Sequence, residues 1–175
     1  MTDLDAYYEA YFRDIATRLS DLGHCQTSPR FWLNSDTDSL SEIENAVRTS
    51  LKLPCLVLDS PEFSVPVGTE NVRERLTGAF SILCKYEQGS TASLTAARRE
   101  ARQIANKIRN YLIRDAAPSQ QSVTNPNSLY RQGVYFYEDI VGDYTRVVKG
   151  VAVGFFYEIR WEHPIDVSYG ADDFS

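Results

Sequence analysis

Residues 1–162 are expected to form a single α+β domain. It would hold a mixed, mainly antiparallel sheet packed by two to three helices and closed by a long C-terminal β-hairpin. Three observations lead there. Residues 91–114 place Leu94, Ala97, Ala101, Ile104, Ala105, Ile108, Tyr111 and Leu112 at helical spacing. Residues 3–22 gather Leu4, Tyr8, Tyr11, Phe12, Ile15, Leu19 and Leu22 within an arc of roughly 100° at 3.6 residues per turn. Segments 72–86 and 146–161 alternate with period two, the signature of strands.

Each element follows in order. Gly23 is placed to end the first helix. "RFWLN" (30–34) is a short strand. Leu40, Ile43, Ala46 and Val47 give a second helical rhythm, with Asp38 or Ser39 as cap. "LPCLVLDSP" (53–61) is an apolar run bounded by proline, suited to a short strand, and "EFSVPVGTEN" (62–71) reads as an irregular loop. In 72–86, Leu76, Gly78, Phe80, Ile82, Cys84 and Tyr86 share one face, and the small, mixed residues opposite indicate partial cover there too. "EQGST" breaks the strand as a turn and helix cap; it lacks the second glycine and Lys-Ser/Thr pair of a phosphate loop. The three alanines of the long helix permit close approach to a sheet. Residues 116–132 are polar, with two prolines, and are read as a loop or arm. "GVYFYEDIV" (133–141) resumes alternation, "GDY" turns the chain, and residues 163–175 form an acidic, weakly apolar tail.

The totals bound the function. Charged residues make up 24% and hydrophobic ones 43%, as in ordinary globular proteins. No apolar run reaches the roughly 18 residues of a membrane helix, so no membrane partner is expected. The acidic N-terminus lacks the basic head and apolar core of a signal peptide, which places the product in the compartment where it is made. A net charge of −6 argues against a general nucleic-acid binder. Within it, residues 91–115 carry an excess of four positive charges, leaving the rest at −10. Arg98, Arg102 and Arg109 lie within about 40° of one another on that helix. Either their stems cover the rim of the core, or they form a stripe of contacts to acidic residues of a neighbouring subunit.

Chemistry offers little. Cys25, Cys55 and Cys84 form no CxxC pair and are expected as reduced, partly buried thiols. His24 and Cys25 are adjacent and point apart on most backbones, which makes a poor nucleophile–base pair. His163 lies beside Glu162, but neighbouring strand residues do not converge on a metal. No catalytic residue, cofactor or metal is assigned.

The closing strand is the most informative stretch. Val151, Val153, Phe155, Tyr157, Ile159 and Trp161 share a face, with Ala152, Gly154, Phe156, Glu158 and Arg160 opposite. Residues 151–161 would span roughly 36 Å at ~3.3 Å each, against a radius of gyration of about 16 Å for a compact domain of this length. Such a strand crosses the whole domain or outreaches it, and an overhang needs a partner. Glu158 and Arg160 therefore join Arg98, Arg102 and Arg109 as candidate subunit-interface residues.

The element order, with "RLTGAFSILCKYE", the long helix and the terminal pair "GVYFYEDI … GVAVGFFYEIRWE", resembles the tail-terminator and tail-completion (neck) proteins of long-tailed bacteriophages. The resemblance implies a structural virion protein, made in the host cytoplasm. Copies would form a ring, commonly of six, that caps the tail tube and meets the head-completion proteins. It carries no catalytic residues to transfer. Two other readings stand beside it: an intracellular adaptor using the same sheet edge, and an enzyme centred on Cys25 or on His163 with Glu162.

Overall fold

The computed structural model describes residues 4–35, 40–66, 72–145 and 150–164. Their helices are α1 (Leu4–Arg18), α2 (Leu40–Thr49), α3 (Thr91–Ala116) and α4 (Gln120–Thr124). The strands are β1 (Phe31–Asn34), β2 (Cys55–Asp59), β3 (Glu62–Ser64), β4 (Arg73–Lys85), β5 (Tyr135–Phe136), β6 (Val141–Tyr144) and β7 (Ala152–Pro164). All seven join one sheet in the order β1-β2-β4-β7, with β3 lying beside β4 and both β5 and β6 beside β7. Only β1 and β2 run parallel, so the fold is a mixed, mostly antiparallel α+β sheet packed by helices. His163 and Pro164, expected in the tail, extend β7; the rest of that tail lies outside the described residues.

The centre is the pairing of β4 with β7, 13 residues on each side, from Arg73 opposite Pro164 to Lys85 opposite Ala152. Paired residues share a face. Leu76 therefore stands beside Trp161, Phe80 beside Tyr157, Ile82 beside Phe155 and Cys84 beside Val153. This face receives α1 and α3 and holds the main core. Trp161 is fully buried, with ring centroids of Tyr8, Tyr11 and Phe12 at 5.4, 5.9 and 6.0 Å. Gly78 lets α1 come this close, because a Cβ there would collide with the Tyr8 ring and hydroxyl.

Among the described residues, a second apolar cluster covers one end of the opposite face. Ala46, Val47 and Leu51, in and just after α2, close over Cys55, Val57, Leu83 and Ala152. The apolar run in β2 follows directly: Leu56 and Leu58 serve one core, Cys55 and Val57 the other.

Five expectations are corrected. The closing strand does not outreach its own sheet, since β4 matches it residue for residue. Residues 62–64 are a strand, not loop, pairing Phe63 with Leu76. "GDY" belongs to β6 and does not turn the chain. Gly142 is there because the Tyr157 ring crosses the space a Cβ would fill. The alternation expected over 133–141 yields only the two-residue β5 before β6 starts at Val141. Residues 116–132, expected as a loop or arm, fold down as a cap. Ser119 and Ser122 form a capping box at the start of α4, and Leu129 is fully buried. Asp115, itself buried, fastens the cap. Its Oδ2 accepts the Tyr11 hydroxyl at 2.7 Å and the Leu129 amide at 2.8 Å.

Two outcomes test this packing. Trp161→Ala is expected to destabilise the fold by about 3–5 kcal/mol, read from chemical denaturation, because the cavity is walled by rigid rings. Asp115→Ala leaves a buried phenol and amide unpaired, a cost of about 1–3 kcal/mol. Hydrogen exchange at the Leu129 amide should accelerate accordingly, while the β4–β7 amides stay protected.

Candidate functional site

At the β7 side of the sheet, α3 lies across the strands and projects its basic flank outward. The helix starts where Ser90 accepts the Ser93 amide at 3.2 Å. Its apolar stripe then fixes the direction of the arginines. Arg98 lies over the Tyr144 ring at 5.7 Å, Arg102 over Phe155 at 5.7 Å and Arg109 over Tyr157 at 5.4 Å. These are cation–π contacts from β6 and β7 to one side of a single helix.

The three differ in what they leave free. Arg109 is committed internally: Nη1 donates to the Tyr157 hydroxyl at 2.8 Å and Nη2 to Asn110 Oδ1 at 2.9 Å. Tyr157 in turn donates to Asn106 Oδ1 at 2.6 Å. Arg98 and Arg102 form no ion pair with any described residue. The stems therefore cover rim aromatics, as one reading expects; Arg102 is exposed, while Arg98 is half-buried with its Nε shielded from solvent.

The edge beside them is β6. All four of its residues are exposed, Val141 at 62% and Tyr144 at 40%. Its inner side pairs with residues 155–158 of β7, and among the described residues nothing pairs with its outer side. Part of that outer side is occupied locally, since Asp143 Oδ1 accepts the Tyr144 amide at 2.7 Å.

Glu158 and Arg160 are not brought to this place. Tyr157 points to the α3 face, so its neighbours on alternate positions point to the other. There Arg160 binds Glu158 at 2.7 Å and also pairs with Glu138. The same face carries Arg73 with Glu162 at 3.5 Å, and Arg73 and Arg75 lie over Tyr135 and Tyr137. The five candidates thus divide between two surfaces. Val141 belongs to the alternating segment 133–141, whereas Tyr144 as a strand residue is masked in sequence by the turn-like Gly142-Asp143 before it.

The titratable candidates are dispersed. Glu162 and His163 fall on opposite faces of β7. His24 Nδ1 accepts the Arg30 amide at 3.0 Å, and burial followed by Arg13 lowers its basicity. Cys25 is exposed, and the Thr27 hydroxyl beside its sulfur lowers the thiol pKa. Burial pushes Cys55 and Cys84 up to about 12. Among the described residues no three His, Cys, Asp or Glu side chains converge as a metal site, and no helix is long and apolar enough to cross a membrane.

No protein-family model and no curated protein matches the chain.

Thiol chemistry checks this map of the surface. A disulfide reagent on the native protein should titrate one cysteine, Cys25, and all three after denaturation. The Cys25 rate should reach its plateau at a lower pH than free cysteine, because the thiolate forms earlier.

Proposed function

We propose that this chain is a structural subunit of the phage tail-terminator type. It assembles into a ring, commonly of six copies, that caps the tail tube and joins it to the head-completion proteins of the neck. The observation that best supports this reading is β6, an open edge strand that presents Val141 to solvent on one face and Tyr144 on the other, where Arg98 and Arg102 form no ion pair among the described residues. Edge strands in monomeric proteins are usually blunted or covered, because bare backbone groups and apolar side chains recruit other chains. An interface between copies removes that liability. Head-to-tail repetition of one such interface closes into a ring when the rotation permits.

The split of charge supports the same reading. A basic helix at one side of the sheet and an acidic remainder give each copy two unlike surfaces. On this reading no step is catalytic, no cofactor is used, and the protein acts in the virion after synthesis in the host cytoplasm.

Light scattering coupled to size-exclusion chromatography, with negative-stain imaging, tests the proposal. The expected result is an annular oligomer, either alone or on addition of a phage tail-tube protein. A monomer at every concentration, with and without that tube protein, overturns the reading and leaves the edge to an extended peptide from another partner.

A further inference from the structure

The ring reading leaves open how one copy holds the next, and the sheet supplies a specific answer that rests on it. We infer that strand β6 of one copy pairs antiparallel with strand β3 of the next, so that one sheet continues from subunit to subunit.

Four observations converge. First, β3 and β6 lie at opposite ends of the sheet, and among the described residues neither has a strand on its outer side. A contact between unlike ends is heterologous, the kind that builds rings.

Second, the exposed apolar side chains concentrate at these two ends. Of seven large hydrophobic residues exposed in the described chain, Phe63 (43%) and Val65 (46%) belong to or follow β3, and Val141 and Tyr144 belong to β6. Register places Phe63 on the face of Leu76 and Tyr144 on the face of Phe155, which is the α1/α3 face in both cases. In a continued sheet the two rings meet on the same side, next to Arg98.

Third, the directions agree. β6 runs antiparallel to β7 and hence parallel to β4, while β3 runs antiparallel to β4. Placed side by side in one sheet, β6 and β3 are antiparallel, the orientation that short strands pair in most readily.

Fourth, the charges are opposite. Among the described residues of 31–66, Glu42, Glu44, Asp59 and Glu62 outnumber Arg48 and Lys52. The other end presents α3, with Arg98 and Arg102 unpaired among the described residues. The strands are short, so backbone bonds alone hold little. The apolar pairs and this attraction supply the remainder. Docking also requires the Asp143 carboxylate to swing off the Tyr144 amide, a local rotamer change.

The test uses the full chain and two exposed substitutions, Val141→Asp and Phe63→Asp, each spoiling one end. Analytical ultracentrifugation should show each variant as a monomer where the wild type is a ring. An equimolar mixture should form a dimer and nothing larger, because one good β6 then meets one good β3. Both variants should keep the wild-type circular dichroism spectrum and a cooperative unfolding transition; should either fail to, Tyr144→Asp or Val65→Asp takes its place with the same expectation. A ring that survives both substitutions overturns strand pairing and leaves the ring reading intact, as does a mixture of monomers that yields no dimer. A wild type that never assembles, even with the tube protein, overturns both.

Discussion

The antiparallel ladder between β4 and β7 determines where nearly everything else in the molecule stands. Its thirteen pairs place Trp161, Tyr157, Phe155 and Phe80 on one continuous surface, and α1 and α3 pack against that surface. The helices fit at different depths for a residue-level reason. Gly78 opens a space that Tyr8 enters, while Ala97, Ala101 and Ala105 let the backbone of α3 lie close to the strands. Because a residue's face is set by its parity in this ladder, a slip of one position would bury Glu158 and Arg160 and expose Trp161. The aromatic cluster around Trp161 therefore fixes register as well as contributing stability.

Long, strongly patterned elements were legible in the residues. The stripe of α3, the arc of α1 and the alternation of β4 appear where periodicity places them, with α3 running two residues past its expected end. The closing strand starts at Ala152, with 146–149 of its expected span outside the described residues. Short elements were not. β3 has three residues, all exposed, so no burial pattern distinguishes it from loop; it is a strand because β4 continues past β2 and offers a free side. β6 hides behind a Gly-Asp pair that ordinarily signals a turn, yet its glycine answers the bulk of Tyr157 across the ladder. The cap at 117–132 is polar in composition, and its order comes from one distant carboxylate and a few serine hydroxyls that no local pattern reveals.

Much the same division applies to the candidate surface. Arg98, Arg102 and Arg109 share a helix face in sequence and in space, because 3.6-residue geometry is local. Their aromatic partners come from strands some forty to sixty positions later and are visible only once the sheet is formed. Glu158 and Arg160 join them only through the expected overhang of the closing strand, and strand alternation sends them to the opposite side from Tyr157. Exposed apolar residues at the two ends of the sheet required the fold itself, since exposure depends on which strands happen to lie outermost.

The stacking of guanidinium groups on rings has a kinetic side. A free arginine side chain samples many rotamers, and freezing it on contact opposes association. Arg98 and Arg102 already rest over the Tyr144 and Phe155 rings. An incoming carboxylate thus meets donors whose orientation was settled when the chain folded. Encounters at this flank should convert into bound complexes with little rearrangement on the helix side, and the slower adjustment falls to the strand beside it.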